Sequence, residues 1–161
     1  MDFGATEEEI ADFLQTKIVD SDVNIIPIPE TDTDVEPKYG KRQIIVAFAS
    51  ETADEDENTS VVSQDVNITF SVLLQGKKLR GPDGLYPLAE QVKNSLTGFT
   101  PSDCRKLTYS SHRFVKNDNK IFEYVLDFKT ISTRVECVNE ETSPYVFKQA
   151  TYIEGGENNA G

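Results

Sequence analysis

The sequence is poor in the side chains from which metal centres are built. Its 161 residues include one histidine, two cysteines, one methionine and no tryptophan. Closed zinc sites take four ligands in paired spacings, which one histidine and two distant cysteines do not provide. We therefore expect no metal and no cofactor.

The two cysteines, Cys104 and Cys137, are expected to be reduced thiols. No secretion signal is recognisable before the first predicted helix, and proteins made in the cytosol keep their cysteines reduced. No apolar run approaches the length of a membrane span, so we expect no membrane partner.

Groups that could form a catalytic site are also sparse. His112 lies in a strand candidate beside Ser110 and Ser111, but adjacent strand residues point to opposite faces. The G-x-S-x-G turn that carries a hydrolase nucleophile is absent. The sequence therefore predicts no enzyme.

The charge is strongly one-sided. The 28 acidic residues against 16 basic ones give a formal net charge of −12. Nucleic acid and anionic lipid both attract cationic side chains, so direct binding to either is disfavoured. Residues 51–58, ETADEDEN, hold five of the acidic residues and lack the glycine that an EF-hand loop needs. Self-repulsion there predicts a mobile, solvated segment within an acidic loop at residues 51–63.

Residues 77–96, KKLRGPDGLYPLAEQVKNSL, are the organising stretch of the chain. Gly81, Pro82 and Gly84 predict a turn. An apolar stripe then predicts a helix from about residue 85 to residue 96, and its members are Leu85, Leu88, Val92 and Leu96. We expect Asp83 to cap the start of this helix, and Gly98 to end it.

An N-terminal helix is predicted before this stretch. Thr6 and Glu9 match the capping-box pattern T-x-x-E, which places Glu7, Glu8 and Glu9 in the first turn. Residues 23–28 are a short strand candidate, and Pro27 in it indicates a sheet edge. Residues 30–41 are polar and predict a loop.

Two β-hairpins account for most of the remaining chain. Residues 43–50 are nearly all apolar, and residues 66–74 alternate apolar and polar, so the two segments predict one hairpin. Residues 106–115 and 121–133 predict the second, with a turn at residues 116–120. If the strands on either side of the 85–96 helix are parallel neighbours, their connection should be right-handed.

These elements define the predicted fold class. It is α+β, with two helices packed on a mixed, mainly antiparallel sheet built from two β-hairpins. Residues 1–133 form one domain. Residues 134–161 form a C-terminal extension, with a strand candidate at residues 145–153 and a disordered end.

The order of elements and several short motifs resemble the tail terminator, or tail completion, proteins of long-tailed bacteriophages, in particular the Mu-like contractile-tail group. The matching turn-helix motif is Gly81, Gly84, Leu85 and Tyr86, and Gly98 and Pro101 follow the helix. The later hairpin also fits, with Phe114 before its turn and aromatic residues after it. The resemblance covers residues 5 to 133.

This resemblance implies a structural virion protein without enzymatic activity. Six copies would form a ring on the end of the tail tube, stop tube polymerisation and join the tail to the neck. The implied partners are further copies of the chain, the tail tube protein, a neck or connector protein and the tail sheath. The implied location is the tail-neck junction of the virion, after assembly in the cytoplasm of the bacterial host.

DNA would pass through such a ring without specific binding. A negative lumen would repel phosphate, so we expect Asp54, Glu55, Asp56 and Glu57 to lie at the lumen, at the rim or at a partner contact. Two alternatives stay open at this point: another neck or baseplate connector, and an acidic inhibitor that mimics DNA.

Overall fold

The computed structural model describes residues 1–31, 41–55 and 60–137. The elements in chain order are α1 (Phe3–Lys17), β1 (Val23–Pro27), β2 (Arg42–Ala53), β3 (Ser63–Gly76), α2 (Leu85–Leu96), β4 (Thr108–Asp118) and β5 (Ile121–Val135). The predicted α+β class is confirmed. The strand candidate at residues 145–153 and the polar end lie outside the described residues, as does most of the loop predicted at residues 30–41.

The strands form one open sheet in the order β1-β2-β3-β5-β4. β1 runs parallel to β2, and the other three pairs are antiparallel. Both predicted hairpins are confirmed, and β1 lies at an edge, as Pro27 indicated. β3 and β4 run parallel, but β5 lies between them. Because they are not neighbouring strands, the expectation of a right-handed connection through α2 does not apply.

The hydrophobic core lies between the two helices and one face of the sheet. The alternation predicted for β3 is confirmed, because the side chains of Val66, Ile68, Phe70, Val72 and Leu74 are all at most 2% exposed. Leu88, Val92 and Leu96 of α2 and Ile10 and Leu14 of α1 join the same cluster, each 0% exposed. The predicted packing of α2 on the sheet is therefore confirmed.

The first hairpin is longer than predicted, because β2 continues through Glu51 to Ala53. Glu51 pairs with Ile68 of β3, and its carboxylate accepts a hydrogen bond of 3.0 Å from Nε of Arg134. The prediction of a mobile segment was therefore wrong for residues 51–53. The neighbouring strand and one guanidinium outweigh the local repulsion, whereas residues 56–58 lie outside the described part.

The second hairpin turns over two residues, Asn119 and Lys120, which have φ angles of 50° and 63°. Both lie in the left-handed region that two-residue hairpin turns require. The predicted turn is confirmed in place but is shorter than residues 116–120, because β4 runs to Asp118. β5 likewise ends at Val135, two residues beyond the predicted end.

α1 begins one turn earlier than the capping-box pattern indicated. Its N-cap is Asp2, whose Oδ1 accepts the N–H of Ala5 at 3.1 Å. Thr6 is buried inside the helix and donates its hydroxyl to the Asp2 carbonyl. The predicted T-x-x-E cap, with three glutamates in the first turn, was therefore wrong. The earlier start brings the Phe3 ring into a stacked contact with Phe48, with the ring centroids 4.0 Å apart.

Candidate assembly surfaces

The turn before α2 depends on two glycines. Gly81 has a φ angle of 86°, in the region that side chains disfavour. Gly84 faces the backbone so closely that a Cβ there would lie 2.4 Å from the carbonyl oxygen of Leu79. There is thus a direct steric reason for glycine at each of the two predicted turn positions.

The first N–H groups of α2 are satisfied by this turn. The N–H groups of Leu85 and Tyr86 donate to the carbonyls of Lys78 and Leu79, at 2.9 and 3.0 Å. Asp83 makes no cap, and that prediction was wrong. Its carboxylate accepts a hydrogen bond of 2.8 Å from Nζ of Lys78, which lowers the pKa of Asp83.

Tyr86, at the end of the motif, begins a partly exposed aromatic cluster that also includes Tyr124, His112 and Phe114. The hydroxyl groups of Tyr86 and Tyr124 are 3.4 Å apart, and this hydrogen bond raises the pKa of Tyr124. The Tyr124 ring meets the rings of His112 and Phe114 edge-on, with centroids 5.2 and 5.5 Å away. Sequence analysis missed this cluster, although the alternate aromatic positions of β4 and β5 could have indicated it.

His112 shows no catalytic arrangement in the described part of the chain. Its Nε2 atom is buried, and no described polar atom binds it. Burial, followed by the nearby Lys93 ammonium, lowers the pKa of His112. The neighbouring Ser111 hydroxyl instead donates to Asp127 at 3.0 Å, so no serine-histidine pair forms.

The acidic loop begins at the end of β2. Asp54 and Glu55 are exposed there. The Asp54 N–H donates to the carbonyl of Asp65 at 3.0 Å, and its Oδ1 accepts from the side chain of Asn67 at 3.2 Å. Asp56 and Glu57 lie outside the described residues, so the structure places only the first two of the four predicted contact residues.

The outer edge of β4 is exposed and apolar. The side chains of Tyr109, Phe114 and Val115 are 42%, 54% and 41% exposed. Arg113 and Lys116 lie beside them and are also exposed. This edge therefore combines aromatic and cationic side chains, which are common at protein interfaces.

The opposite edge of the sheet has a different character. An open cleft of about 720 Å³ lies where the end of β1 meets the start of α1. Ile26, Pro27 and Ile28 form part of its wall, and the carboxylates of Glu8 and Glu30 line it as well. The two edges of one sheet thus present unlike surfaces.

A second open cleft, of about 420 Å³, is lined by Met1, Cys104 and the far ends of β3 and β5. Burial raises the pKa of Cys104, and this higher pKa makes its thiol less reactive. Cys104 and Cys137 form no disulfide with each other, and their reduced state stays a prediction. Within residues 1–31, 41–55 and 60–137, no cluster of three potential ligands could hold a metal ion, and no helix could span a membrane.

Comparisons with known proteins place the chain in a family. No curated protein matches it. A chain of the solved structure described as "Virion of native gene transfer agent (GTA) particle" is similar over 78% of this chain and 84% of that chain, with 14% identity and a TM-score of 0.45. The family model described as "Gp37 protein" matches residues 10–154. Because this match spans most of the sequence, the chain belongs to the Gp37 protein family.

Proposed function

We propose that this chain is a structural subunit of a bacteriophage virion, which forms a six-membered ring at the end of a tail tube. The ring stops tube polymerisation and joins the tail to the neck. The role requires no chemical reaction. Its partners are further copies of the chain, the tail tube protein, a neck or connector protein and the tail sheath. Its place is the tail-neck junction of the virion, which is assembled in the bacterial cytoplasm.

The observation that carries this proposal is the open sheet with two exposed, unlike edges. A subunit whose two contact surfaces differ joins copies head to tail, and a closed ring is the finite form of such a contact. The turn-helix motif supports the assignment further. Its members, Gly81, Gly84, Leu85 and Tyr86, form one continuous unit at the start of α2.

The acidic loop has a role in this proposal. Asp54 and Glu55 are exposed at the end of β2, and Asp56 and Glu57 follow them directly in the sequence. We place these four carboxylates at the lumen, at its rim or at a partner contact. A negative lumen repels the phosphate backbone, so DNA can pass without binding.

The test is an assembly reaction with purified tail tube protein. Native mass and negative-stain images should show six-fold rings, and adding the protein should stop tube elongation with one ring on one end of each tube. A ring of another order that does not limit tube length would indicate a different connector. A chain that stays monomeric with and without tubes would overturn the proposal.

The acidic loop is tested with Asp54→Asn, Glu55→Gln, Asp56→Asn and Glu57→Gln combined. The ring should persist, while the rate of DNA passage should fall. The matched control exchanges Asp and Glu at the same four positions, which keeps the charge and should leave passage unchanged. A tight complex with a DNA-binding enzyme, lost in the neutral variant only, would instead favour the DNA-mimic function.

A further inference from the structure

The two edges of the sheet carry opposite charge. Residues 1–31, which include α1 and β1, contain eight acidic residues and one lysine. β4 (Thr108–Asp118) contains two basic residues, Arg113 and Lys116, and one acidic residue, Asp118. β1 and β4 lie at opposite ends of the strand order. Complementary charge on opposite sides of one subunit favours contact between copies of the chain.

The charges at both edges are available to a partner. Glu8, Glu30 and Lys116 are exposed, and none forms an ion pair with any described residue. Arg113 lies 3.8 Å from Asp127, a carboxylate that already accepts hydrogen bonds from two serine hydroxyls. Glu8, Glu30 and Lys116 therefore carry charges that no described residue neutralises, whereas Asp20 and Asp22 already pair with Arg42.

Both edges also carry apolar side chains. Phe114 and Val115 expose apolar surface on β4, and the cleft at the β1 edge has Ile26 and Ile28 in its wall. Pro27 has no N–H group, so a strand added at the outer edge of β1 would meet a break in the ladder. A contact through side chains therefore suits this edge better than the addition of another strand to the sheet.

We propose that the β4 edge of one copy docks on the β1 edge of the next copy. Phe114 enters the cleft beside Ile26 and Ile28. Arg113 and Lys116 then face Glu8 and Glu30 of the neighbouring copy. The partner is a second copy because one chain carries both complementary halves. The proposal deepens the ring assembly proposed above and rests on it.

A charge-swap experiment tests this contact. One variant carries Arg113→Glu and Lys116→Glu, and the other carries Glu8→Lys and Glu30→Lys. Sedimentation over a concentration series should show that each variant alone self-associates about tenfold more weakly than the wild-type protein. An equimolar mixture should recover the wild-type mass, because both kinds of junction in a ring of alternating copies are then attractive.

The control is Lys77→Glu, a charge reversal at an exposed lysine directly after the central strand β3, and it should keep the wild-type mass. Phe114→Asp tests the cleft independently and should weaken association without loss of the folded circular dichroism spectrum. Unchanged mass for both folded edge variants would overturn the proposal. So would a mixture that fails to recover the mass, or a wild-type protein that is monomeric at every concentration.

The two proposals can fail separately. If the swap recovers the assembled mass but no variant or wild-type assembly limits tube length, the edge contact stands and the tail role fails. If the wild-type protein limits tube length and the edge variants do so equally well, the tail role stands and this contact is wrong.

Discussion

The two helices begin in opposite ways. α1 starts with a side-chain cap, in which the Asp2 carboxylate accepts the N–H of Ala5. α2 has no side-chain cap, and its first N–H groups reach the carbonyls of Lys78 and Leu79 in the preceding turn. A side-chain cap is a local property of the sequence, whereas a backbone cap depends on the path of a whole loop.

The helices also differ in how they join the rest of the molecule. Glu7 of α1 accepts the N–H of Phe48 at 2.6 Å, just beyond the point where β1 stops pairing with β2. Glu9 accepts the N–H of Ser102 at 3.0 Å. α2 relies mainly on its apolar face. Its Tyr86 hydroxyl also bonds that of Tyr124 at 3.4 Å, and the ion pair between Glu90 and Lys93 stays within the helix. Packing therefore dominates for α2, and polar contacts between elements add to packing for α1.

The largest expected effect comes from a substitution that disrupts the apolar packing of α2 on the sheet. Val92 is 0% exposed, so Val92→Asp buries a charge without a partner and should cost about 3 kcal/mol or more. Urea unfolding measures the loss. Gln91→Asp changes an exposed position of the same helix and should change stability little. Equal stabilities of the two variants would contradict the packing of α2 on the sheet.

The next effect compares a glycine at the start of each helix. Gly84→Ala places a methyl group against the Leu79 carbonyl oxygen and should cost about 1–3 kcal/mol. Gly4→Ala in α1 meets only an ordinary contact of 3.4 Å and should stabilise by about 0.5–1 kcal/mol. Melting temperatures should therefore move in opposite directions, and a shift of the same sign in both would refute the comparison.

A smaller effect separates the two aspartates that precede the helices. Asp2→Ala removes a true cap and should cost about 1 kcal/mol. Asp83→Ala removes only an exposed ion pair with Lys78 and should leave stability unchanged within error. Chemical denaturation of both variants in low salt is the measurement. A larger loss for Asp83→Ala would mean that this carboxylate caps α2 after all.

The smallest effect is a pH dependence at α1. Burial raises the pKa of Glu7 above 4.5 more than its hydrogen bond with Phe48 lowers it. The folded state therefore holds this proton more tightly than the unfolded state does. The resulting stability is full below the unfolded pKa and is lost as pH rises through the folded pKa.

Glu7→Gln keeps an oxygen that can accept the Phe48 N–H but does not titrate. Relative to the wild-type protein, the variant should gain stability as pH rises from 4.5 towards neutrality. Unfolding curves at several pH values measure this difference. Parallel pH profiles of the two proteins would show that Glu7 has an ordinary pKa in the folded state.

The sequence predicted the elements that depend on apolar periodicity. The alternation in β3 and the stripe from Leu85 to Leu96 were both correct, because burial of one face decides these structures. The turn glycines, Gly81 and Gly84, were also correct, since φ and close approach leave little choice at such positions. The edge position of β1 followed from Pro27 alone.

The errors fall where distant residues decide the outcome. The extension of β2 to Ala53 depends on β3 and on Arg134, which is 83 residues from Glu51. The start of α1 is an exception, because its cap is local: Asp2 lies three residues before Ala5, whose N–H it accepts. The cleft joins residues from separate elements, so no local pattern indicated it. Four acidic residues were proposed for the lumen, and their position relative to neighbouring copies stays a prediction.

The position of β5 has a consequence for how the protein folds during its synthesis. Because β5 lies between β3 and β4, a nascent chain that has left the ribosome only as far as Asp118 has no partner for β4 and leaves one side of β3 unpaired. That side displays the backbone of a strand rich in Ile, Phe and Val, which favours pairing with other chains. Translation that stalls before residue 121 should therefore yield aggregating fragments. Aggregation should decrease only once β5 has emerged and pairs with β3.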